Sequence, residues 1–376
     1  MRKICGLFVF IFSLCTFSFA QNSGGRFRIS LLTCAPGDEL YSIFGHTALR
    51  ITDSAANSDL VYNYGTFNFD DPDFYSKFVR GKLDYSLSVA SFPDFISEFQ
   101  ATHRDVTEQV LNLSDIQRTA ISNALRVNME GSNRYYKYDF LRDNCTSRVR
   151  NLLLNYGNLH ITRPLVPAGT SYRNLIHEYL DRSNMNWTKL GMDLLMGAPA
   201  DQPLSIRESM FLPDYLMHGA DSSGGLVAER QVMRFGSAPE KKGWPWPLIT
   251  LSFAAAFILI ISFSRNKKAV AFTRIADTVL YLITGLIGCL LLFTWFGTDH
   301  ASFKSNYNLF WALPTNLPAA LLMLSRPALL RKYFVVTSLV YGLLLISWYW
   351  LPQQLNPALV PLVLLLFLRS VQRLKP

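Results

Sequence analysis

Apolar residues are not spread through this chain of 376 residues but collected at its far end, where residues 244–368 are apolar almost throughout. Residues 21–243 are mixed and polar by contrast. Five apolar runs stand out, at 247–263, 275–296, 309–324, 333–351 and 355–368. The second and fourth approach the roughly 20 residues that a helix needs to cross a bilayer. The first and third are slightly short, and the fifth is shortest. Trp244, Trp246 and Trp348 suit the interfacial aromatic belt. The chain therefore reads as a soluble unit (21–243), large enough for its own core, followed by an all-α membrane unit of about five helices (244–376).

The N-terminus fixes which side the soluble unit occupies. Arg2 and Lys3 precede an apolar run over 4–19, and Ser18-Phe19-Ala20 is a small-x-small cleavage signature. This predicts a Sec signal peptide over 1–20 and a mature chain starting at Gln21. Cys15 suggests lipidation, but Leu14 stands where a small residue is needed.

The net charge of +9 invites a nucleic-acid reading until it is located. Residues 21–243 hold 23 basic and 25 acidic side chains, so the soluble unit is near neutral. The excess lies in short segments around the apolar runs: Arg265, Lys267, Lys268 and Arg274, then Arg326, Arg331 and Lys332, then Arg369, Arg373 and Lys375. With the soluble unit outside, a five-span count delivers all three clusters to the cytoplasm, as the positive-inside rule asks. The charge belongs to membrane topology, and no nucleic-acid partner is expected. The expected location is the bacterial inner membrane, multi-pass, with the N-terminal domain in the periplasm.

Within the outer loop after the second run, Thr298-Asp299-His300 leads to Asn306-Tyr307-Asn308, and the third run carries Pro314, Thr315, Asn316 and Pro318. Polar groups and helix breakers at membrane depth face protein or a wet cavity. They read either as a polar kink joining helices or as a polar pocket with His300 at its rim.

In the soluble unit, strands are expected over 28–34, 46–52 and 60–65, the last two forming a hairpin, and again over 82–90 and 103–112. Helices are expected over 74–79, 92–101, from Ser114-Asp115 to about 128, from about 144 to 154 with Asp143 as cap, over 172–180 and over 210–217. Residues 135–140 read as extended, Gly224-Gly225 as a turn, and the chain beyond Asn155 as loop-rich. The fold class is α+β.

Cys145 stands at the first turn of an expected helix, where unpaired N–H groups favour a thiolate and can receive an oxyanion. A thiol nucleophile also needs an imidazole held by a third polar group. His46 opens a strand directly after Gly45, and Asn63 lies on the next strand at a spacing that can share its sheet face. The competing structural reading is a Cys34–Cys145 disulfide. Cys289 reads as packing within a span, and His103, His160, His177 and His218 lack partners at motif spacing. No Cys-x-x-Cys or His-x-x-x-His pair supports a metal, and no cofactor is expected.

Phe44-Gly45-His46-Thr47-Ala48-Leu49-Arg50, Tyr62-Asn63-Tyr64-Gly65-Thr66-Phe67 and Asn144-Cys145-Thr146-Ser147-Arg148 resemble the periplasmic domain of the Lnb-type lipoprotein N-acyltransferases. That domain is distantly similar to the circularly permuted papain-like (NlpC/P60-like) superfamily, in which His precedes Cys. The segment from Thr298-Asp299-His300 resembles the family's membrane part. The resemblance implies Cys145 as nucleophile, His46 as base and Asn63 as orienting residue, with Tyr64 or Tyr62 as alternatives for the third role. Tyr64, Tyr138, Asn144 and His300 are the expected substrate-binding residues, with Asp139 beside Tyr138. It further implies a phospholipid acyl donor and a diacylglyceryl-cysteine lipoprotein as acceptor. A cell-wall cysteine peptidase or amidase, a phospholipase or thioesterase, and a non-enzymatic scaffold are the other functions such a site could serve.

Overall fold

The computed structural model describes residues 27–237, 241 and 243–374. The expected signal peptide, with Cys15, lies outside the described residues, as does Lys375. The N-terminal half holds β1 (Phe27–Cys34), β2 (His46–Asp53), β3 (Ser58–Thr66), α1 (Phe74–Val79), β4 (Asp84–Ser91), α2 (Phe92–Ala101), β5 (Val106–Leu111), α3 (Asp115–Met129), β6 (Tyr135–Lys137) and α4 (Cys145–Tyr156). It continues with α5 (Tyr172–Arg182), α6 (Asn186–Leu195), α7 (Ile206–Ser209), α8 (Pro213–Ser222) and β7 (Val227–Met233). The strands form one antiparallel sheet in the order β6-β4-β3-β2-β1-β5-β7.

Period-two alternation divides the sheet's two faces. Ile29, Leu31, Leu49 and Ile51 pack with Ile121 and Leu125 of α3 and Val149 and Leu152 of α4. Leu32, Cys34, Ala48 and Val61 pack on the other face against Phe95 and Phe99 of α2. The expected α+β class therefore holds. Helix α6 and edge strand β7 arise where a loop-rich region is expected. β7 is exposed over most of its length, so its sequence carries no apolar alternation to read.

The C-terminal half is helical: α9 (Trp246–Ser262), α10 (Lys267–Phe296), α11 (Asn316–Ser325), α12 (Arg331–Ser347) and α13 (Val360–Gln372). Among the described residues only α10 is long and apolar enough to cross a membrane by itself. It starts at Lys267, capped by Asn266, rather than at Ile275. The third apolar run is not a continuous span. It breaks into a 3-10 turn (Tyr307–Phe310) and the ten-residue α11, with Pro314 in the gap. The fifth run is reduced to the 13 residues of α13. At the break, buried Asn316 donates to Thr284 Oγ1 at 2.9 Å and accepts from the hydroxyls of Tyr333 and Tyr341. A methyl at Gly285 would sit 2.3 Å from Leu317 N, and one at Gly288 2.2 Å from Ala312 O, so α10 presses directly on this segment.

The two halves are joined by polar side chains that cap α6. Asn308 Nδ2 donates to Asp193 O, Asn306 Nδ2 to Leu194 O and Leu195 O, and Gln353 Nε2 to Met196 O. These carbonyls are among those a helix end leaves without partners. The Asn-rich loop is thus a joint between elements; its amides are engaged there and do not line a pocket. Behind it, buried Asp193 accepts from Arg173, His177 and Asn356.

Candidate active site

The site grows from one tight turn. Gly45 has φ +73°, and a methyl there would lie 2.6 Å from the Cys34 carbonyl. Only glycine fits this entry to β2, which sets His46 at the strand's first position, opposite Cys34. His46 and Asn63 then share a sheet face, and His46 Nε2 lies 2.5 Å from Asn63 Oδ1. An acceptor on Nε2 keeps the proton there and leaves Nδ1 free to accept one.

Alternation sends Tyr62 and Tyr64 to the opposite face from Asn63. Tyr64 is a core residue whose hydroxyl accepts from Asn128 of α3 at 2.7 Å. Of the three side chains considered for holding His46, Asn63 is the one bonded to it.

Cys145 is the first residue of α4. The cap is Asn144 rather than the expected Asp143: Asn144 Oδ1 accepts from Ser147 N at 2.8 Å, and Ser147 Oγ accepts from Asn144 N. Asn144 Nδ2 is also used, donating to the carbonyls of Phe140 and Phe211, so this side chain builds the turn rather than offering itself to a ligand. Asp143 instead holds Arg148 through two bonds at 2.7 Å. Asp139 accepts from the N–H groups of Leu141 and Arg142 and shapes the approach to α4. A buried bond of 2.9 Å between Thr47 and Thr146 pins the first turn of α4 to β2 beside His46.

These constraints set the Cys145 thiol beside the His46 imidazole, the Thr47 N–H and the Thr146 hydroxyl, which all act on its ionisation. Burial alone pushes the thiol up, but the charge and hydrogen bond of His46, then Thr47 and Thr146, bring it down to about 7. Reciprocally, burial opposes the His46 imidazolium, but the charge and hydrogen bond of Cys145 and the bond to Asn63 outweigh it and raise the imidazole. Buried Cys34 has no such partner, and burial pushes its thiol well up. Both Cys34 and Cys145 are free, so no disulfide joins them. Among the described residues no cluster of His, Cys, Asp and Glu could hold a metal.

Gly65 (φ +94°) lies beside the thiol: a methyl there would make ordinary contact, 3.7 Å from Cys145 Cβ and 3.8 Å from Tyr138 Cε2. Tyr138 thus borders the thiol, as expected. Tyr136 borders the same glycine, and its buried hydroxyl has no hydrogen-bond partner. The sequence signal for it was the spacing of Tyr136 and Tyr138 across one residue, which an alternating strand turns to one face. Thr47 and Thr146, buried neighbours of the catalytic-type pair, carried no signal of their own. His300 is placed elsewhere: its Nε2 is 3.2 Å from the Phe78 carbonyl and its ring lies against Gly81, at the end of α1. It serves the joint between the halves.

Comparison with known families agrees with this division of the chain. The Lnb N-terminal periplasmic domain matches residues 15–181, and the Lnb transmembrane domain matches residues 239–375. No curated protein and no solved structure matches the chain. A membrane protein with a periplasmic N-terminal domain, this chain belongs to the Lnb-type family.

Proposed function

We propose that this protein is an inner-membrane lipoprotein N-acyltransferase, with Cys145 as nucleophile, His46 as base and Asn63 as the residue orienting the imidazole. The observation that carries the reading is His46, bonded to Asn63, acting on the Cys145 thiol at a helix N-terminus, in a chain whose two halves match the Lnb domains. The order His, polar residue, Cys fits a permuted papain-like arrangement.

His46 takes the thiol proton, and the Cys145 thiolate attacks an acyl ester carbonyl of a phospholipid. The developing oxyanion faces the unpaired N–H groups at the start of α4. As the intermediate collapses, the C–S bond is kept, the ester C–O bond breaks, and His46 returns its proton to the departing lysophospholipid oxygen. The α-amine of a diacylglyceryl-cysteine lipoprotein then attacks the thioester. The C–N bond forms, the C–S bond breaks, and the thiolate is regenerated while His46 takes up the amine's proton. An α-amine titrates near pH 8, so an appreciable neutral fraction is available.

Both substrates keep their chains in the bilayer, which suits a thiol site fixed to a membrane bundle. The apolar exposure of Phe253, Ile260, Val336, Leu343 and Ile346 on α9 and α12 supports a multi-pass bundle with lipid around it. Mass spectrometry of lipoprotein N-termini tests the assignment. In cells with no other source of N-acylation, Cys145→Ala at normal abundance should remove the N-acyl group. Unchanged N-acylation would sink the reading and leave a cell-wall peptidase as the next to test. Release of free fatty acid without N-acylation would instead identify a phospholipase or thioesterase.

A further inference from the structure

An exposed aromatic face lies on the periplasmic half, and none of the described residues covers it. Phe69, Tyr75, Phe78 and Val79 are 69, 79, 50 and 48 % exposed, all on α1 or the turn before it. Contiguous apolar exposure of this kind marks an interaction surface.

Its position in the molecule identifies the occupant. The end of α1 is bonded to the loop that follows the membrane helix α10: Asp299 N donates to Arg80 O at 2.9 Å, and His300 reaches Phe78 O. Asp299 is three residues beyond Phe296, the last residue of α10, a reach of about 10 Å at most. Trp295 and Phe296, stacked at 5.2 Å, close the helix as an interfacial pair does. The exposed face of α1 is therefore continuous with the end of a bilayer-length helix, at the depth of the outer headgroups. Charge does not select a polyanion there: Asp70, Asp71, Asp73 and Asp84 outnumber Lys77, Arg80 and Lys82, and Lys77 is already paired with Asp71 at 2.8 Å.

From this face, aromatic rings run inward without interruption. Phe69 lies 4.7 Å from Phe67, Phe67 5.3 Å from Tyr85, and Tyr85 is stacked on Tyr138 at 4.4 Å between ring centroids. Tyr138 and Cys145 both border Gly65. Phe67 and Tyr138 remain partly exposed above buried Tyr85, so a hydrocarbon chain can pass over these two rings.

We infer that the face formed by Phe69, Tyr75, Phe78 and Val79 seats in the outer phospholipid leaflet, and that Phe67, Tyr85 and Tyr138 lead a donor's acyl chain from it to Cys145. The docking stands on geometry alone; the acyl path rests on the transfer reading given above. Held by apolar insertion, the contact is insensitive to salt and needs no anionic lipid.

Two measurements on the full chain in phosphatidylcholine vesicles separate these parts. A spin label at Tyr75→Cys, with Cys145 and Cys289 replaced by Ser and buried Cys34 left in place, reports depth. Collision with oxygen should exceed that with a water-soluble nickel chelate several-fold, relative to a label at exposed Ile116→Cys on α3. Equal behaviour at the two positions overturns the docking. Next, Phe69→Ser combined with Phe78→Ser should slow thioester formation on Cys145 from vesicle phospholipid at least tenfold. Acylation by water-soluble p-nitrophenyl butyrate should stay within twofold. No change in either rate, or equal loss of both, overturns the acyl path. If the label reports lipid while wild-type protein draws no acyl group from vesicles yet accepts one from the soluble ester, the docking stands and the transfer reading fails.

Discussion

Cys145 and Cys34 are two thiols of one domain with opposite chemistry, and a single imidazole makes the difference. His46 brings Cys145 down to about 7, whereas burial without such a partner pushes Cys34 up. Alkylation of Cys145 by iodoacetamide should therefore rise as pH increases through about 7 and then level off. In His46→Ala the midpoint should move upward, because burial is left unopposed, and acyl transfer should fall about 10²–10⁴-fold. The transfer rate itself should be bell-shaped in pH. It rises as the thiol ionises and falls at higher pH as His46, whose pKa is raised, loses the proton it must give to the leaving group. Asn63→Ala should cost on the order of a hundredfold by letting the ring swing, with little loss of stability. Tyr136 offers a sharper contrast. Its buried hydroxyl lacks a partner beside Cys145, and burial, then the Cys145 charge, keeps its phenol protonated, so it remains a donor. Tyr136→Phe should stabilise the fold by about 1 kcal/mol by removing an unsatisfied group. If the hydroxyl reaches the oxyanion, the same variant also slows transfer; melting curves and single-turnover rates read the two effects separately.

At the scale of elements, the catalytic geometry hangs on a turn and a cap. Gly45→Ala sets a methyl 2.6 Å from the Cys34 carbonyl at a left-handed φ, which should destabilise the domain by about 1–3 kcal/mol. Asn144→Ala removes the cap of α4 and leaves the Phe140 and Phe211 carbonyls without that donor. A loss of about 2 kcal/mol is expected, with the alkylation midpoint of Cys145 moving up; chemical denaturation and the iodoacetamide profile check both. These elements also show what was legible in the sequence. β1, β2, α2 and α3 were readable because each buries apolar side chains at regular spacing or carries a side-chain cap such as the Ser114–Gln117 box. The pairing of His46 with Asn63 followed from period-two spacing, and Cys145 from its place at a helix start. The cap of that helix was misassigned because Asp143 and Asn144 are both good capping residues, and only the path of the chain decides that Asp143 turns to Arg148. Exposed β7 was illegible because hydropathy reports burial or lipid contact, not which tertiary partner completes an element, whereas the break in the third apolar run was signalled by Pro314, Asn316 and Pro318 as a polar kink joining helices.

The proposed transfer requires the halves to keep one orientation, because a thiol on a freely swinging domain would meet membrane-bound esters rarely. That orientation is set by polar side chains beside an apolar seam, in which Leu190, Leu194 and Leu195 of α6 pack into the membrane half's core. Asn306, Asn308 and Gln353 end on carbonyls at the C-terminus of α6, and Asp299 and His300 end on α1. Below them, fully buried Arg173 holds Asp193 and Asp201, while Asn356 from the membrane half reaches Asp193 at 2.8 Å. Removing one partner of such a buried pair is costly, about 3–5 kcal/mol, because the other charge remains unpaired. Arg173→Ala should therefore lower the melting temperature of the whole chain, whereas Asn308→Ala, which removes neutral hydrogen bonds, should loosen the joint at about 1–3 kcal/mol. Cys145 packs against the periplasmic core, whereas α6 at the joint packs into the membrane half's core. Asn308→Ala should then leave iodoacetamide alkylation of Cys145 unchanged while slowing acylation from vesicle phospholipid. Equal loss of both rates would mean that the joint supports the fold of the thiol site itself, and equal retention would mean that positioning over the bilayer is secured by α1 alone.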